Sequence, residues 1–262
     1  MLIKPKKSLG QNFLTDKNIL QKISNTVKIN EDTEILEIGP GTGNLTEYLL
    51  KKKPKKITLV EKDTNLSKLL KSKFGENIHI INEDFLNFSK YNSLGKNLII
   101  FGNLPFNISS QILVKLIINK DKLKFQKIVF MFQKELADRI LSTQNSKNYG
   151  RLTILTNWKF KIDRIIDISP NSFYPKPKVN SSLLLLTPKK RIFQFKKPEN
   201  LEYITRVFFN QRRKKIKKPI NILFPNQIKL VDKLRLNLDL RPQNVSIETF
   251  FEITKEYENL TR

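Results

Sequence analysis

Ile35-Leu36-Glu37-Ile38-Gly39-Pro40-Gly41-Thr42-Gly43-Asn44-Leu45 reads as a buried strand that runs into a glycine-rich turn and then into a helix. Glycine at alternating positions lets the backbone turn tightly and approach a ligand closely, and the helix N-terminus beyond it offers free amides. A glycine loop alone does not separate nucleotide dehydrogenases from other nucleoside-binding folds. The next strand, in Leu59-Val60-Glu61-Lys62-Asp63, supplies a discriminating residue: Glu61 lies 22 residues after Gly39, where an acid can accept both ribose hydroxyls of an adenosine. Asp84, in Asn82-Glu83-Asp84-Phe85, follows a third strand and is a candidate acceptor for an adenine amino group. Loop and acids together predict a nucleoside cofactor without saying which.

Outward from this stretch, from Thr33 to about Thr187, short apolar runs alternate with amphipathic segments, the pattern of a doubly wound α/β sheet. Strands are predicted at 34–38, 57–60, 78–81, 98–101, 127–132, 160–168 and 181–186, with helices at 45–52, 66–73, 110–118 and 134–141. The last two strands follow each other without a long helix between them, which predicts an antiparallel pairing at one sheet edge. After Pro198 the pattern turns helical, with Leu201, Ile204, Val207 and Phe208 spaced for one buried face. Segments 216–223, 228–234 and 247–257 complete a small helical domain.

With 262 residues the chain exceeds the ~100–200 usual for one domain, which predicts a large domain and a smaller appendage. No run approaches the ~18 apolar residues of a membrane span, and Met1-Leu2-Ile3-Lys4-Pro5 lacks the apolar core of a signal peptide. The absence of cysteine excludes disulfides, thiolate metal ligands and a cysteine nucleophile, and suits a reducing cytoplasm. A net charge of +25 points to a polyanion such as RNA or DNA, because each cation set beside a phosphate releases counterions. The Lys-, Asn- and Ile-rich composition with a single alanine, Ala137, offers a second reading: the bias an AT-rich genome imposes on any protein.

The reactive end is read from Gly102-Asn103-Leu104-Pro105-Phe106-Asn107-Ile108-Ser109, directly after the fourth strand. The lone pair of an exocyclic adenine amine is delocalised into its ring and attacks a sulfonium methyl poorly. Accepting the amine hydrogens on the Asn103 side-chain oxygen and the Leu104 carbonyl would bias the nitrogen toward tetrahedral geometry and aim its lone pair. Phe106 next door can stack on the base once it is rotated out of its helix. A strong general base is unnecessary, since the cationic product amine loses its proton readily.

These motifs resemble the bacterial small-subunit (16S) ribosomal RNA adenine N6,N6-dimethyltransferase family over nearly the whole length. The likeness includes Leu9-Gly10-Gln11-Asn12-Phe13-Leu14, Glu37 to Gly43, Gly102 to Ser109 and Gln133-Lys134-Glu135. It continues through Tyr149-Gly150-Arg151-Leu152, Phe173-Tyr174-Pro175-Lys176-Pro177-Lys178-Val179 and Phe209-Asn210-Gln211-Arg212-Arg213-Lys214. The resemblance implies a Rossmann-like class I methyltransferase domain over residues 1–188, with a seven-stranded mostly parallel sheet and an antiparallel edge strand. A small helical RNA-binding domain would occupy residues 189–262. It implies S-adenosyl-L-methionine as methyl donor, no metal, and a cytoplasmic monomer acting on 16S rRNA in the assembling small subunit, away from membranes.

Residue by residue, the resemblance has Asn12 and Leu14 close over the cofactor, and Gly39 and Gly41 approach it. Glu61 would hold the ribose and Asp84 the adenine, and Asn103 would bridge cofactor and target amine within the catalytic turn of Leu104, Pro105 and Phe106. Phe106 and Phe173 would sandwich the target base, and Arg212, Arg213 and Lys214 would contact RNA. The sequence departs from the family at Phe106, usually Tyr, and at Asn180, usually Asp. Pro219, after the basic run 212–218, is expected to stop or kink a helix there. His79 reads as a structural or surface residue, Trp158, Phe130 and Phe132 as core within strand-like surroundings, and Glu37 as an acceptor for backbone amides. Two other functions compete: the related antibiotic-resistance methyltransferase of 23S rRNA, and a non-catalytic assembly or transcription factor that keeps the RNA surface.

Overall fold

The computed structural model describes residues 5–6, 9–224 and 227–260. The chain forms two compact units, Met1–Ala137 with Lys161–Pro188, and Asp138–Phe160 with Lys189–Arg262. Among the described residues, no helix is long and apolar enough to cross a membrane.

The first unit opens with β1 (Phe13–Leu14) and α1 (Lys17–Ser24), whose N-terminus is capped by the Asp16 carboxylate on the amides of Asn18 and Ile19. There follow β2 (Glu34–Ile38), α2 (Asn44–Leu50), β3 (Lys56–Glu61), α3 (Thr64–Phe74) and β4 (His79–Asn82). The chain then crosses to β5 (Leu98–Asn103), α4 (Ser109–Ile118), β6 (Lys127–Gln133) and α5 (Lys134–Ile140). After α6 (Arg151–Lys159), the strands β7 (Phe160–Ile168), β8 (Phe173–Tyr174) and β9 (Ser181–Pro188) complete the strand set.

Seven strands form one sheet in the order β4-β3-β2-β5-β6-β9-β7, and β1 pairs with β8 in a separate ribbon. Strands β4, β3, β2, β5 and β6 are parallel neighbours, so β2, β5 and β6 are buried on both faces and carry near-continuous apolar runs. Strands β7 and β9 are neighbours at the edge expected for them; β9 is the inner of the two and runs antiparallel to β6. Chain order proceeds outward from β2 to β4 on one side and from β5 to β6 on the other. The switch between β2 and β5 opens a crevice beyond their C-terminal ends, where such sheets bind ligands.

The second unit gathers α6, α7 (Pro198–Phe209), α8 (Lys217–Leu223), α9 (Gln227–Leu234) and α10 (Ile247–Leu260). Segment Asp138–Phe160, which the sequence placed inside a first domain of 1–188, packs with these helices instead. The reason is specific bonding: Tyr149 Oη donates to the Val245 carbonyl at 3.0 Å, Arg151 pairs with Glu202, and Trp158 Nε1 donates to the Phe193 carbonyl at 2.7 Å. Trp158 is therefore core, as expected, but on a helix rather than a strand. Phe130 and Phe132 are core residues of β6, their rings edge-on at 6.0 Å, and His79 is exposed on β4.

Helix α7 buries Leu201, Ile204, Thr205 and Phe208, while Val207 is only half-buried. Glu258 of α10 receives the amides of Lys196 and Lys197, both at 2.9 Å, just ahead of the first turn of α7. Residues 212–216 are not helical, and Pro219 lies in the first turn of α8, where its missing N–H would have had no intrahelical acceptor.

Candidate active site

The turn after β2 holds Gly39 and Gly41 at φ +65° and +60°, the left-handed region that other residues enter at a cost. At Gly41 space is also decisive, because a Cβ there would sit 2.9 Å from Cδ1 of the Phe13 ring. A Cβ placed on Gly39 would lie 3.8 Å from Pro105 Cδ and 4.0 Å from the Asn103 carbonyl oxygen. The glycine turn and the 103–106 turn thus face each other, and both line one cavity beyond β2 and β5.

Glu61 ends β3 beneath this loop and is almost buried. Its Oε2 accepts the Gly41 amide at 3.1 Å and its Oε1 accepts the Asp63 amide at 2.8 Å, so the acid also fixes the glycine turn. Burial raises its pKa, partly offset by these amides. Asp84 lines the same cavity, with Oδ1 on the Leu86 amide at 2.9 Å and Oδ2 on Lys62 Nζ at 2.8 Å. Burial pulls its pKa upward, but the Lys62 ammonium and the Leu86 amide outweigh that and hold it below the usual carboxylate value. Each carboxylate oxygen keeps a lone pair for a further donor.

Glu37 differs from its sequence reading. Its Oε2 accepts the Thr46 hydroxyl of α2 at 2.7 Å rather than a backbone amide, because helix α2 folds back over the strand and brings that hydroxyl inside. Only 2% of its surface is exposed, and burial lifts its pKa to about 7, with the Thr46 bond opposing and the Glu61 charge adding to the rise.

At the reactive end, Asn103 closes β5 and donates from Nδ2 to the Asn12 carbonyl at 3.0 Å. Leu104 is buried, Pro105 and Phe106 are half-buried, and all of them line the cavity with Asn12 and Leu14. Leu14 is held by its own carbonyl, which accepts Asn44 Nδ2 at 2.7 Å. Residues 9–14 are fastened from outside as well. Lys6 Nζ pairs with Asp63 at 2.9 Å and Gln11 Nε2 donates to the same carboxylate at 3.0 Å.

Sequence reasoning missed Asp63 and Phe13. The Asp63-Thr64-Asn65 start of α3 was a legible N-cap, and its carboxylate does accept the Asn65 amide at 2.9 Å; its clasp on Gln11 and Lys6, 52 and 57 positions distant, was not legible. Phe173 was expected to face the target base but does not line the cavity. It is 4% exposed and packs into the core with Leu14, its partner across the β1–β8 ribbon. Asn180 is exposed; its carbonyl accepts the Lys134 amide at 2.9 Å, and nothing described explains the missing acidic charge of its side chain.

In the second unit, the basic residues expected to act together separate. Arg212 is half-buried, donating from Nε to Gln243 Oε1 at 3.3 Å and from Nη2 to the Lys147 carbonyl. Arg213 and Lys214 stand exposed beside it.

Comparison with known proteins places the chain in a family. A family model described as "Ribosomal RNA adenine dimethylase" matches residues 3–259. The chain is 53% identical over 261 residues to "Ribosomal RNA small subunit methyltransferase A" of Pelagibacter ubique, covering 99% of both chains. It is 43% identical to the protein of the same name from Borreliella burgdorferi, over 96% of this chain and 88% of that one. Among solved structures, a dimethyladenosine transferase from Plasmodium falciparum superposes with TM-score 0.80 at 28% identity, covering 94% of this chain and 97% of its own. The 23S rRNA methyltransferase ErmE shares the fold, with TM-score 0.67 at 23% identity over 94% of this chain and 99% of that one. With its family match spanning almost every residue and its glycine turn set against Asn103-Leu104-Pro105-Phe106, the chain belongs to the ribosomal RNA adenine dimethylases.

Proposed function

We propose that this protein dimethylates the N6 amines of two adjacent adenosines in a hairpin loop near the 3′ end of 16S rRNA, while the small subunit is assembling. The observation that carries the reading is the shared cavity: the Gly39 turn and the Asn103–Phe106 turn line it from opposite sides, with the Gly39 Cβ position 3.8 Å from Pro105.

The residues present fit S-adenosyl-L-methionine, which supplies an electrophilic methyl group when bound. Side chains are excluded at Gly41, which leaves bare backbone, and Glu61 and Asp84 are acids with spare lone pairs for ribose hydroxyls and an adenine amine. With Nδ2 engaged on Asn12, Asn103 keeps Oδ1 as an acceptor for one hydrogen of the target amine, and the Leu104 carbonyl takes the other. Phe106 stacks on the target base. The Tyr hydroxyl usual at that position is absent, but the ring face is retained. The methylated nitrogen sheds its proton to water, and a monomethylated amine still carries one hydrogen for a second transfer. Arg213 and Lys214 contact RNA phosphates, while Arg212 holds their turn in shape.

Mass spectrometry of rRNA after incubation with S-adenosylmethionine and immature small subunits tests the reading. Dimethyladenosine at two neighbouring positions of 16S rRNA is the expected result. One modified adenine in 23S rRNA would transfer the chain to the resistance enzymes, and unmodified RNA would make it a binding protein.

A further inference from the structure

Phe173 and Tyr174 are consecutive, yet the ribbon they share with β1 sends them to opposite sides. In that antiparallel pair Leu14 faces Phe173 and Phe13 faces Tyr174. Directly opposed residues place their side chains on the same face, and successive residues alternate. Leu14 and Phe173 both enter the core. Phe13 lies against Gly41, so the Tyr174 side chain shares the ribbon face that Phe13 presents to the glycine turn.

There Tyr174 is 64% exposed, the one aromatic ring among the exposed large apolar side chains of the described residues. It has no ring contact or hydrogen bond through its side chain among them. Its strand, by contrast, is anchored: Tyr174 pairs with Phe13 in the ribbon, and just ahead of it Ser172 O accepts the Thr15 amide at 2.9 Å and Ser172 Oγ donates to Asp16 Oδ2 at 3.1 Å. Lys176 and Lys178 follow, both exposed and neither in an ion pair among the described residues. A rigidly mounted, uncovered ring followed by two cations suits a nucleobase and the phosphates beside it.

We propose that Tyr174, with Lys176 and Lys178, docks the nucleotide adjacent to the target adenosine: its base stacks on the Tyr174 ring and its phosphates lie against the two lysines. This rests on the RNA-methylation reading and deepens it, since a substrate with two neighbouring adenosines needs the second one held while the first occupies the cavity.

The test compares wild type with Tyr174→Ala, Tyr174→Phe and the double variant Lys176→Ala/Lys178→Ala. Three quantities are read: affinity for immature small subunits without turnover, KM and kcat for methylation, and calorimetric affinity for S-adenosylmethionine. Loss of one stacked base predicts that Tyr174→Ala weakens subunit affinity and raises KM by roughly tenfold, with cofactor affinity unchanged and Tyr174→Phe close to wild type. The lysine pair should flatten the salt dependence of subunit binding. Wild-type subunit affinity in Tyr174→Ala would overturn the proposal, as would an equal loss in Tyr174→Phe. A parallel loss of cofactor affinity in Tyr174→Ala would also overturn it, by making the ring a brace for Phe13. If the wild-type protein methylates nothing, the reaction proposed above fails, while subunit affinity still decides the role of Tyr174.

Discussion

In the turn after β2, the polar groups are tied to partners that the strand order brings together: the Gly41 amide to Glu61, Glu61 to the Asp63 amide, and Asp63 to Lys6 and Gln11. From the turn after α7 into the first turn of α8, six cations crowd residues 212–218, and Arg212 is bound within the second unit while Arg213 and Lys214 remain exposed. Both stretches are compositionally extreme, yet they differ in what composition fixes. Glycines with positive φ and an acid at a set spacing specify geometry, whereas a basic run specifies only charge and leaves each side chain's task to its neighbours.

The largest way to probe the ordered end is through its most buried acid. Burial lifts Glu37 from 4.5 to about 7, so ionising it in the fold costs stability. That cost is absent below the unfolded value and grows as pH rises through the folded one, reaching about 3 kcal/mol. Glu37→Gln should therefore gain thermal stability over wild type between pH 5 and pH 8. Melting curves at both pH values check this, and a pH-independent gap would mean the carboxyl is not held neutral. Next in size, Glu61→Ala should weaken S-adenosylmethionine binding by about 1–3 kcal/mol, the scale of a lost charged hydrogen bond; unchanged affinity by calorimetry would remove Glu61 from the site.

The basic turn should behave in the opposite sense. Arg212→Ala loses half-buried hydrogen bonds and should destabilise the protein by about 1–2 kcal/mol, with little change in the salt dependence of subunit binding. Arg213→Ala combined with Lys214→Ala should keep the melting temperature and lower the log–log salt slope by roughly two. Should all three residues move the slope alike, the division of labour inside the turn is wrong.

The same contrast explains what could be read in advance. The central strands β2, β5 and β6 were legible because buried parallel strands are written as apolar runs, and the observed limits of all seven sheet strands lie within about two residues of those expected, as end fraying allows. The shared cavity followed from the β2–β5 switch. What stayed hidden depends on long-range packing. Asp138–Phe160 joins the second unit through Tyr149, Arg151 and Trp158, whose partners lie 35 to 96 residues away. The fates of Phe173 and Tyr174 turn on the register of a two-residue ribbon, which a shift of one would reverse. Glu37 found a hydroxyl from α2 because helix packing, not the strand pattern, decides which donor reaches a buried acid.

The proposed transfer depends on Asn103, which ends β5 where the two sides of the cavity meet. Its most direct test is the turnover of Asn103→Ala on immature subunits, with subunit affinity measured on the same preparation. Methyl transfer should fall by about a hundredfold or more, the scale set by removing one preorganised hydrogen-bonding group from a reacting centre, while affinity stays at the wild-type value. Wild-type turnover in that variant would contradict the claim that this side chain shapes the target amine for attack.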